Sequence, residues 1–313
     1  MKKLLYVLLV TSVILVSVTY LLIPDEIIIS ETEQVESSER IVLKYLKDND
    51  QIARWWPQEK SGTAEAGSAL SYRNFRYSFS KPGFDSLAIT IATENLTINS
   101  TLSWIPYSKN GIRLTWRASI PAGNNPIKRL LNYRQARKLK TDMTHIMERY
   151  LTFIVNRRKV YGYDFEIKTV TDTLLATTSF KSAAYPPNSR IYDEIHRLRE
   201  FIRLRGIKAT NPPMLNISLD AKGQYRTTLA LPVAERFNSG NDILFQRMVA
   251  GNILVAEVRG GPGTVLNGFK QMELFMEDFN LSSPAINFES LVTDRSREPD
   301  TAKWVTRLYY PIY

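Results

Sequence analysis

KWVTRLYYPIY, Lys303–Tyr313, reads as a closing strand, and YRTTLALPV, Tyr225–Val233, has already played the same tune once. Setting Pro311 against Pro232 matches Val305 with Thr227, Thr306 with Thr228 and Leu308 with Leu229 after a one-residue slip, and Tyr-Pro-Ile stands for Leu-Pro-Val. A repeat of this kind decides the architecture before any single element does. Outward from it, Leu174–Thr177 (LLAT) and Leu254–Glu257 (LVAE) each open a unit as a strand. A helix follows in both, Asn188–Leu204 and Thr264–Phe279, with Ile195, Leu198, Ile202 and Phe269, Met272, Leu274, Phe275 as the expected core faces. Each helix gives way to Pro-x-x-Asn and a strand, PMLNISLD from Pro213 and PAINFESLVTD from Pro284, and each unit ends on the proline-closed strand. Two strand-helix-strand-strand units cannot each bury their own sheet, so they should pair about a pseudo-twofold axis, the second copy closing on Tyr313.

Length and composition frame the rest. The chain has 313 residues, a formal charge of +10, no cysteine and two histidines, His145 and His196. Two domains follow from the length. Thiol chemistry and disulfides are excluded, and clustered His/Cys metal sites nearly so. No metal and no cofactor is implied. Leu4 to Ile23 is a run of twenty residues without charge, about 30 Å long as a helix, which predicts a membrane anchor over residues 1–24. Lys2 and Lys3 precede it while Asp25 and Glu26 follow, so the N-terminus is expected in the cytoplasm and the body outside, as a single-pass protein of the cell inner membrane. A cleavable signal peptide competes with that reading, although the apolar run is long for one.

Residues 25–160 form the expected first domain, and their periodicity changes along the chain. Ser37 and Ser38 open a short helix through Ile41, Val42, Tyr45 and Leu46; a second turn, Gln51–Trp56, closes at Pro57. Alternation then predicts half-buried antiparallel strands, through Phe75, Tyr77 and Phe79, through Leu87, Ile89 and Ile91, through Leu96 to Trp104, and from Ile112 to Ile120. After Pro126 the period becomes helical, with Leu139, Met143, Ile146, Met147, Tyr150, Leu151 and Ile154 on one face of a helix over about 127–157. A curved sheet gripping a long helix, with KDNDQIARWWP at Lys47–Pro57, resembles the START-like helix-grip superfamily, the polyketide cyclase and lipid-transport group. That resemblance implies an apolar cavity between helix and sheet. The residues alone leave Trp55, Trp56, Trp104 and Trp116 open to core packing.

Residues 161–313 resemble the GyrI-like, or AraC-type, effector-binding domain of bacterial multidrug-responsive regulators. ILVAEVRGGPGTVLNGFKQM at Ile253–Met272 is similar to the family's strand, Gly-Pro turn and helix; FESLVTD at Phe288–Asp294 to its Glu-bearing strand; and KWVTRLYYPI to its closing strand. The resemblance implies a cleft for amphipathic, often cationic aromatic compounds over an acidic residue, which by motif position is Glu289, with Ser218 in its place in the first unit. The family's aromatic two residues after the glutamate is Leu291 here. Expected ligand-binding residues are Glu289, Phe288, Trp304, Tyr309, Tyr310 and Tyr225. A buried carboxylate costs free energy unless a cation or donors satisfy it, and ring walls add about 0.5–2 kcal/mol of cation–π attraction. Pairing of Glu289 with Arg307 or another neighbour is the alternative.

Other motifs carry less. Gly263 to Gly268 is followed by Phe269 and not by Lys, so the phosphate loop fails, and neither histidine has partners for a triad. Asp164/Glu166 and Glu298/Asp300 read as solvated linker and loop carboxylates. The fold class expected is therefore α+β: an N-terminal transmembrane helix, a helix-grip START-like domain and a tandem βαββ GyrI-like domain. The function expected is membrane-anchored binding of a hydrophobic or amphipathic small molecule, without evident catalysis and without nucleic acid. A hydrolase or cyclase acting in either cavity, or an envelope interaction scaffold, is the alternative.

Overall fold

Residues 2–47, 49–57, 69–171, 173–240 and 242–313 are described by a computed structural model, without the side chains of Lys2 and Leu5. Asp48 of the Lys47–Pro57 turn thus lies outside the described residues. The fold is α+β with two antiparallel sheets, and the chain divides into one unit up to Asn156 and a second from Arg157.

The first unit opens on helix α1 (Lys2–Leu22). Among the described residues, no helix is long and apolar enough to cross a membrane. The expected transmembrane helix and the single-pass inner-membrane localisation are corrected accordingly, and the expected membrane contact through residues 4–23 is not shown. Polar residues interrupt the apolar run: Thr11, Ser12, Ser17 and Thr19 each turn a hydroxyl back onto the carbonyl four residues earlier. The last turn is tied down through side chains, with the Tyr20 hydroxyl donating to the Asn124 carbonyl and the Arg129 guanidinium lying 4.7 Å from the Tyr20 ring centre. Arg129 also donates to the Ile23 carbonyl at 2.6 and 2.8 Å and to Asp25 at 2.7 Å.

Strand β1 (Glu26–Val35) follows, then α2 (Glu39–Leu46) and α3 (Asn49–Ala53). Ser38 caps α2 by accepting from the Ile41 N–H at 3.3 Å. Strands β2 (Leu70–Tyr72), β3 (Phe75–Phe79), β4 (Ser86–Ala92), β5 (Thr97–Ser108) and β6 (Gly111–Pro121) complete a six-stranded sheet in the order β1-β6-β5-β4-β3-β2. Helix α4 (Pro126–Ile154) then starts where Asn125 accepts from the Ile127 N–H and Pro126 fixes the first helical residue. Aromatic rings link α4 to the sheet: Tyr150 to Trp55 at 4.5 Å, Trp55 to Trp56 at 5.7 Å, Trp56 to Tyr77 at 5.1 Å, and Tyr77 to Trp116 at 6.1 Å. Trp55, Trp56, Trp104 and Trp116 are all buried, and each indole N–H has an acceptor. That avoids a penalty of about 1–3 kcal/mol per unsatisfied donor. These four tryptophans are core.

The second unit begins with α5 (Arg157–Tyr161) and β7 (Phe165–Thr169). Its first repeat is β8 (Leu174–Ser182), α6 (Asn188–Arg203), β9 (Met214–Leu219) and β10 (Tyr225–Pro232). After β11 (Leu244–Arg247), the second repeat is β12 (Asn252–Arg259), α7 (Pro262–Asp278), β13 (Phe288–Leu291) and β14 (Val305–Ile312). The strands make one sheet in the order β11-β8-β10-β9-β13-β14-β12-β7. The repeats meet where β9 pairs with β13, and their leading strands are exchanged: β7 pairs with β12 and β11 with β8. Register corrects the repeat alignment, because the buried threonines and leucines facing the helices are Thr227 and Leu229 in β10 and Thr306 and Leu308 in β14. The match runs at one constant offset through Pro232 and Pro311, with no slip.

Helix α6 lays Ile191, Tyr192, Ile195, Leu198 and Ile202 on Ala176, Leu215, Leu229 and Leu231. Helix α7 buries Val265, Gly268, Met272 and Phe275, and comes so close to the sheet that a Cβ on Gly268 would stand 2.5 Å from Leu308 Cδ1. The exchange of leading strands fixes the curvature. A flat sheet would hold β11 and β12 six spacings, or about 29 Å, apart, whereas the link from Arg247 to Asn252 reaches at most about 17 Å. The link from Thr169 to Leu174 faces the same limit, so the sheet must curl. Both links cross on the face the helices leave bare, bonded directly to each other by Val170 N–H to the Gly251 carbonyl and Met248 N–H to the Thr173 carbonyl. Met248 packs there against Leu175, Met214 and Ala230. The bare face is the concave one.

Candidate functional site

Strand alternation distributes the expected site residues over both faces. On β13, Leu291 packs into the α6 core, so Glu289 shares the helix face while Phe288 points to the concave face beside Met214 and Ala230. Phe288 stands opposite Tyr309 in register, and the two rings stack at 4.9 Å and 11°. Trp304 and Tyr310 belong with Glu289 on the helix side. Tyr310 reaches α7, with its ring 6.3 Å from Phe269 and its hydroxyl 3.4 Å from Glu273. Tyr225 meets Tyr185 edge-on at 5.5 Å. The acid and the Phe288–Tyr309 walls therefore do not line one pocket; the sheet stands between them.

Glu289 has a protein cation of its own. Arg295, in the loop between β13 and β14, donates from Nη2 to Glu289 Oε2 at 2.9 Å and to Thr306 Oγ1 at 2.8 Å. Its guanidinium carbon lies 5.0 Å from the centre of the Trp304 ring. The two side chains are 7% and 14% exposed. Burial pushes the Glu289 carboxyl above its usual range, and Arg295 opposes that by charge and by hydrogen bond. Nearby, the Tyr185 phenol is raised by burial first and by the Glu289 charge second. Arg307, the neighbour weighed from sequence, reaches Glu257 instead at 3.4 Å. The loop that carries Arg295 is anchored at several points: its backbone N–H donates to the Tyr192 hydroxyl at 2.7 Å, Ser296 bonds to Asp294, and the Trp304 indole donates to the Glu298 carbonyl at 2.8 Å. Register also reassigns the first-repeat counterpart of Glu289, which is its cross-strand neighbour Leu215 and not Ser218.

Two recesses of the concave face, among the described residues, lie on either side of Phe288 and Tyr309. One, of about 710 Å³, lies under the crossing links and is walled by Leu175, Met214, Ala230, Met248 and Phe288, with Thr169, Thr177, Asn216, Thr228, Gln246 and Asn252 as polar strand residues of its lining. Arg247 is the charged residue of its lining, and no Asp, Glu or His is among the described residues that form it. The other, of about 590 Å³, is bordered by Tyr309, Arg307, Glu257, Glu166 and Lys168. The Phe288–Tyr309 stack stands between them, one ring in each lining. Arg295 and the apolar recess were missed in the sequence. Arg295 sits in TDRSREPD, where a charge looks solvated, and the recess is assembled from strands whose pairing is not local.

No family model matches the chain, and no curated protein matches it. Among solved structures the chain is similar to the C-terminal domain of EcmrR, with 16% identity and a TM-score of 0.42 over 48% of this chain and 98% of that one. A hydrolase from Listeria innocua matches with 11% identity and a TM-score of 0.38, over 48% and 92%. SAV2435, solved bound to tetraphenylphosphonium, matches with 9% identity and a TM-score of 0.34, over 48% and 94%.

Proposed function

We propose that the second unit binds a hydrophobic or amphipathic small molecule in the apolar recess of the concave face, as a receptor and not as a catalyst. One observation supports this above the others: a recess of about 710 Å³ with aliphatic, thioether and phenyl walls and a few hydroxyl and amide groups. Its size falls in the range of small-molecule sites, about 300–1,000 Å³, and its lining has the composition of one. Among the described residues that form the lining, no Asp, Glu or His side chain stands ready as a general acid or base. With Arg247 as the charged lining residue, the polar end of an amphipathic ligand is neutral or anionic. The cationic ligand expected over Glu289 is not part of this reading, because Arg295 occupies that place. The first unit, whose tryptophans fill its core, contributes no cavity to the proposal.

Titration of the full chain with the neutral fluorophore N-phenyl-1-naphthylamine tests the reading. Ala230→Trp places an indole in the recess and should weaken the probe by about tenfold or more, the equivalent of about 1.4 kcal/mol. A folded Ala230→Trp chain that binds the probe as the wild type does would remove the recess from consideration.

A further inference from the structure

The apolar recess does not end at its polar residues. A further recess, of about 460 Å³, adjoins it in the first repeat, and Thr177, Thr228 and Gln246 belong to both linings. It opens where β11 stops: β11 pairs with β8 only as far as Leu244 opposite Thr177, while β8 runs on to Ser182. Backbone phase leaves a donor in that gap. The Thr173 carbonyl accepts from Met248 on the β11 side and the Leu174 carbonyl from Val233 on the β10 side. Alternate residues from Thr173 therefore face β11, and Ser179 turns its N–H to an edge that carries no strand there.

Charge in the adjoining recess is uneven. Arg190 and Arg197 reach it from α6, but both are held by the Glu194 carboxylate, at 3.2 and 2.7 Å, and Arg197 also stands 3.5 Å from Asp242. Arg226 has no ion-pair partner among the described residues, and its neighbour across the strands is Lys181, which bonds to Asp220 at 2.9 Å. Two cations directly opposite each other on one face of a sheet repel, so the place favours an anion. The lining sets three guanidiniums, Arg190, Arg197 and Arg226, against two carboxylates, Glu194 and Asp242, which leaves one positive charge over, on Arg226.

Resting on the apolar recess as the ligand site, we propose that its ligand is an elongated amphipathic carboxylate. The hydrocarbon body lies in the apolar recess, and the head group passes Thr177, Thr228 and Gln246 to pair with Arg226 and to accept from the Ser179 N–H. Ala230, Thr228 and Arg226 are alternate residues on the concave face of β10, so the head lies about 13 Å along the strand from Ala230. A single negative charge matches the single positive one left over, and a carboxylate suits the fork of a guanidinium, which can take both its oxygens.

The test is the ratio of affinities for dansylaminoundecanoic acid and its methyl ester, from fluorescence titrations of the full chain. Acid and ester share body and length and differ in charge at one end. The wild type should prefer the acid by about tenfold or more, the scale of a charge-assisted contact. Arg226→Gln should remove most of that preference and Arg226→Lys keep part of it; the residue is exposed on the sheet, so both variants should fold. The acid should also displace N-phenyl-1-naphthylamine, as a body lying in the apolar recess requires. Equal affinities of acid and ester for the wild type, a ratio unmoved by Arg226→Gln, or a ratio that falls with Arg247→Gln instead would each overturn the carboxylate assignment, while naphthylamine binding still reports on the recess. Binding of all three probes that is indifferent to Ala230→Trp would remove the recess itself, and the head-group assignment with it.

Discussion

The two repeats of the second unit share one topology and differ in nearly every side chain that faces a ligand-sized space. In the first, the central strand pair puts Leu215 beside Leu229 on the helix face, and Met214 beside Ala230 on the concave face. In the second, the same places hold Glu289 beside Leu308, and Phe288 beside Tyr309. The buried threonine is common to both, yet Thr306 accepts from Arg295 whereas Thr227 Oγ1 has no partner. On the concave face, small Ala230 and Thr228 leave the apolar recess open, while Tyr309 and Arg307 build the charged one. The backbone fixes where recesses form. Which of them is apolar, charged or filled is decided by single residues at equivalent positions, so the copies can diverge without disturbing the sheet between them.

The strongest way to break that comparison is to make the second repeat like the first. Glu289→Leu places the residue of the first repeat at the equivalent site but leaves Arg295 buried without its carboxylate. Removing one partner of a buried pair costs about 3–5 kcal/mol, whereas replacing both by apolar residues is often neutral or better. In urea unfolding, Glu289→Leu is therefore expected to be severely destabilised, and Glu289→Leu with Arg295→Met to recover most of the loss. Additive losses in the double variant would show that the two side chains do not depend on each other.

A second test sharpens the comparison between helices. Helix α7 approaches β12 and β14 through Gly268, where an added Cβ would meet Leu308 Cδ1 at 2.5 Å and Val258 Cγ1 at 3.0 Å. Leu308 is fully buried, so the neighbour has little room to give. Gly268→Ala gains helix propensity of about 1 kcal/mol but overpacks the contact, which costs about 1–3 kcal/mol. A net loss of about 1 kcal/mol in unfolding free energy, read from urea curves, is expected; a gain in stability would mean that α7 moves outward freely.

The parts legible in the sequence were those set by local periodicity. Ile195, Leu198 and Ile202 are buried on α6 as their spacing required, and the long helix after Pro126 ends at Ile154, near where its stripe ran out. The exchange of β7 and β11 was not legible: Phe165–Thr169 buries only Phe165 and Leu244–Arg247 is four residues long, so neither alternates enough to mark a strand. Their partners lie in the other repeat. The site was half legible. That Phe288 and Glu289 must face opposite ways follows from adjacency in a strand, and the aromatic-and-acid pocket expected from the motif overlooked it. Arg295 had no periodic signal, since a loop brings it back over Trp304 and Glu289. The apolar N-terminal run, in turn, weighed heavily as a count of uncharged residues, but its hydroxyls and its ties to Asn124 and Arg129 were invisible in that count.

The smallest effect tests how the buried carboxylate sits in its site. Burial raises the Glu289 carboxyl, and the charge and hydrogen bond of Arg295 only partly offset this. A carboxyl whose folded value exceeds its unfolded one binds its proton more tightly in the folded chain. Its contribution to stability is then complete below the ordinary glutamate range, near about 4.3, and is lost as the pH rises through the raised folded value. The other groups around it do not mask that window. Tyr185 is raised and stays neutral, and Asp294, though burial pushes it up, is held below its usual range by Ser296 and neighbouring arginines. Glu289→Gln removes the titration while leaving those groups in place. Across a series of urea unfolding curves from about pH 4 to pH 7, the wild type should lose stability relative to Glu289→Gln through the region just above the ordinary glutamate range. Parallel curves across the whole series would mean that Arg295 has cancelled the cost of burial in full, and the difference between the two repeats at this position would then be one of shape and not of charge.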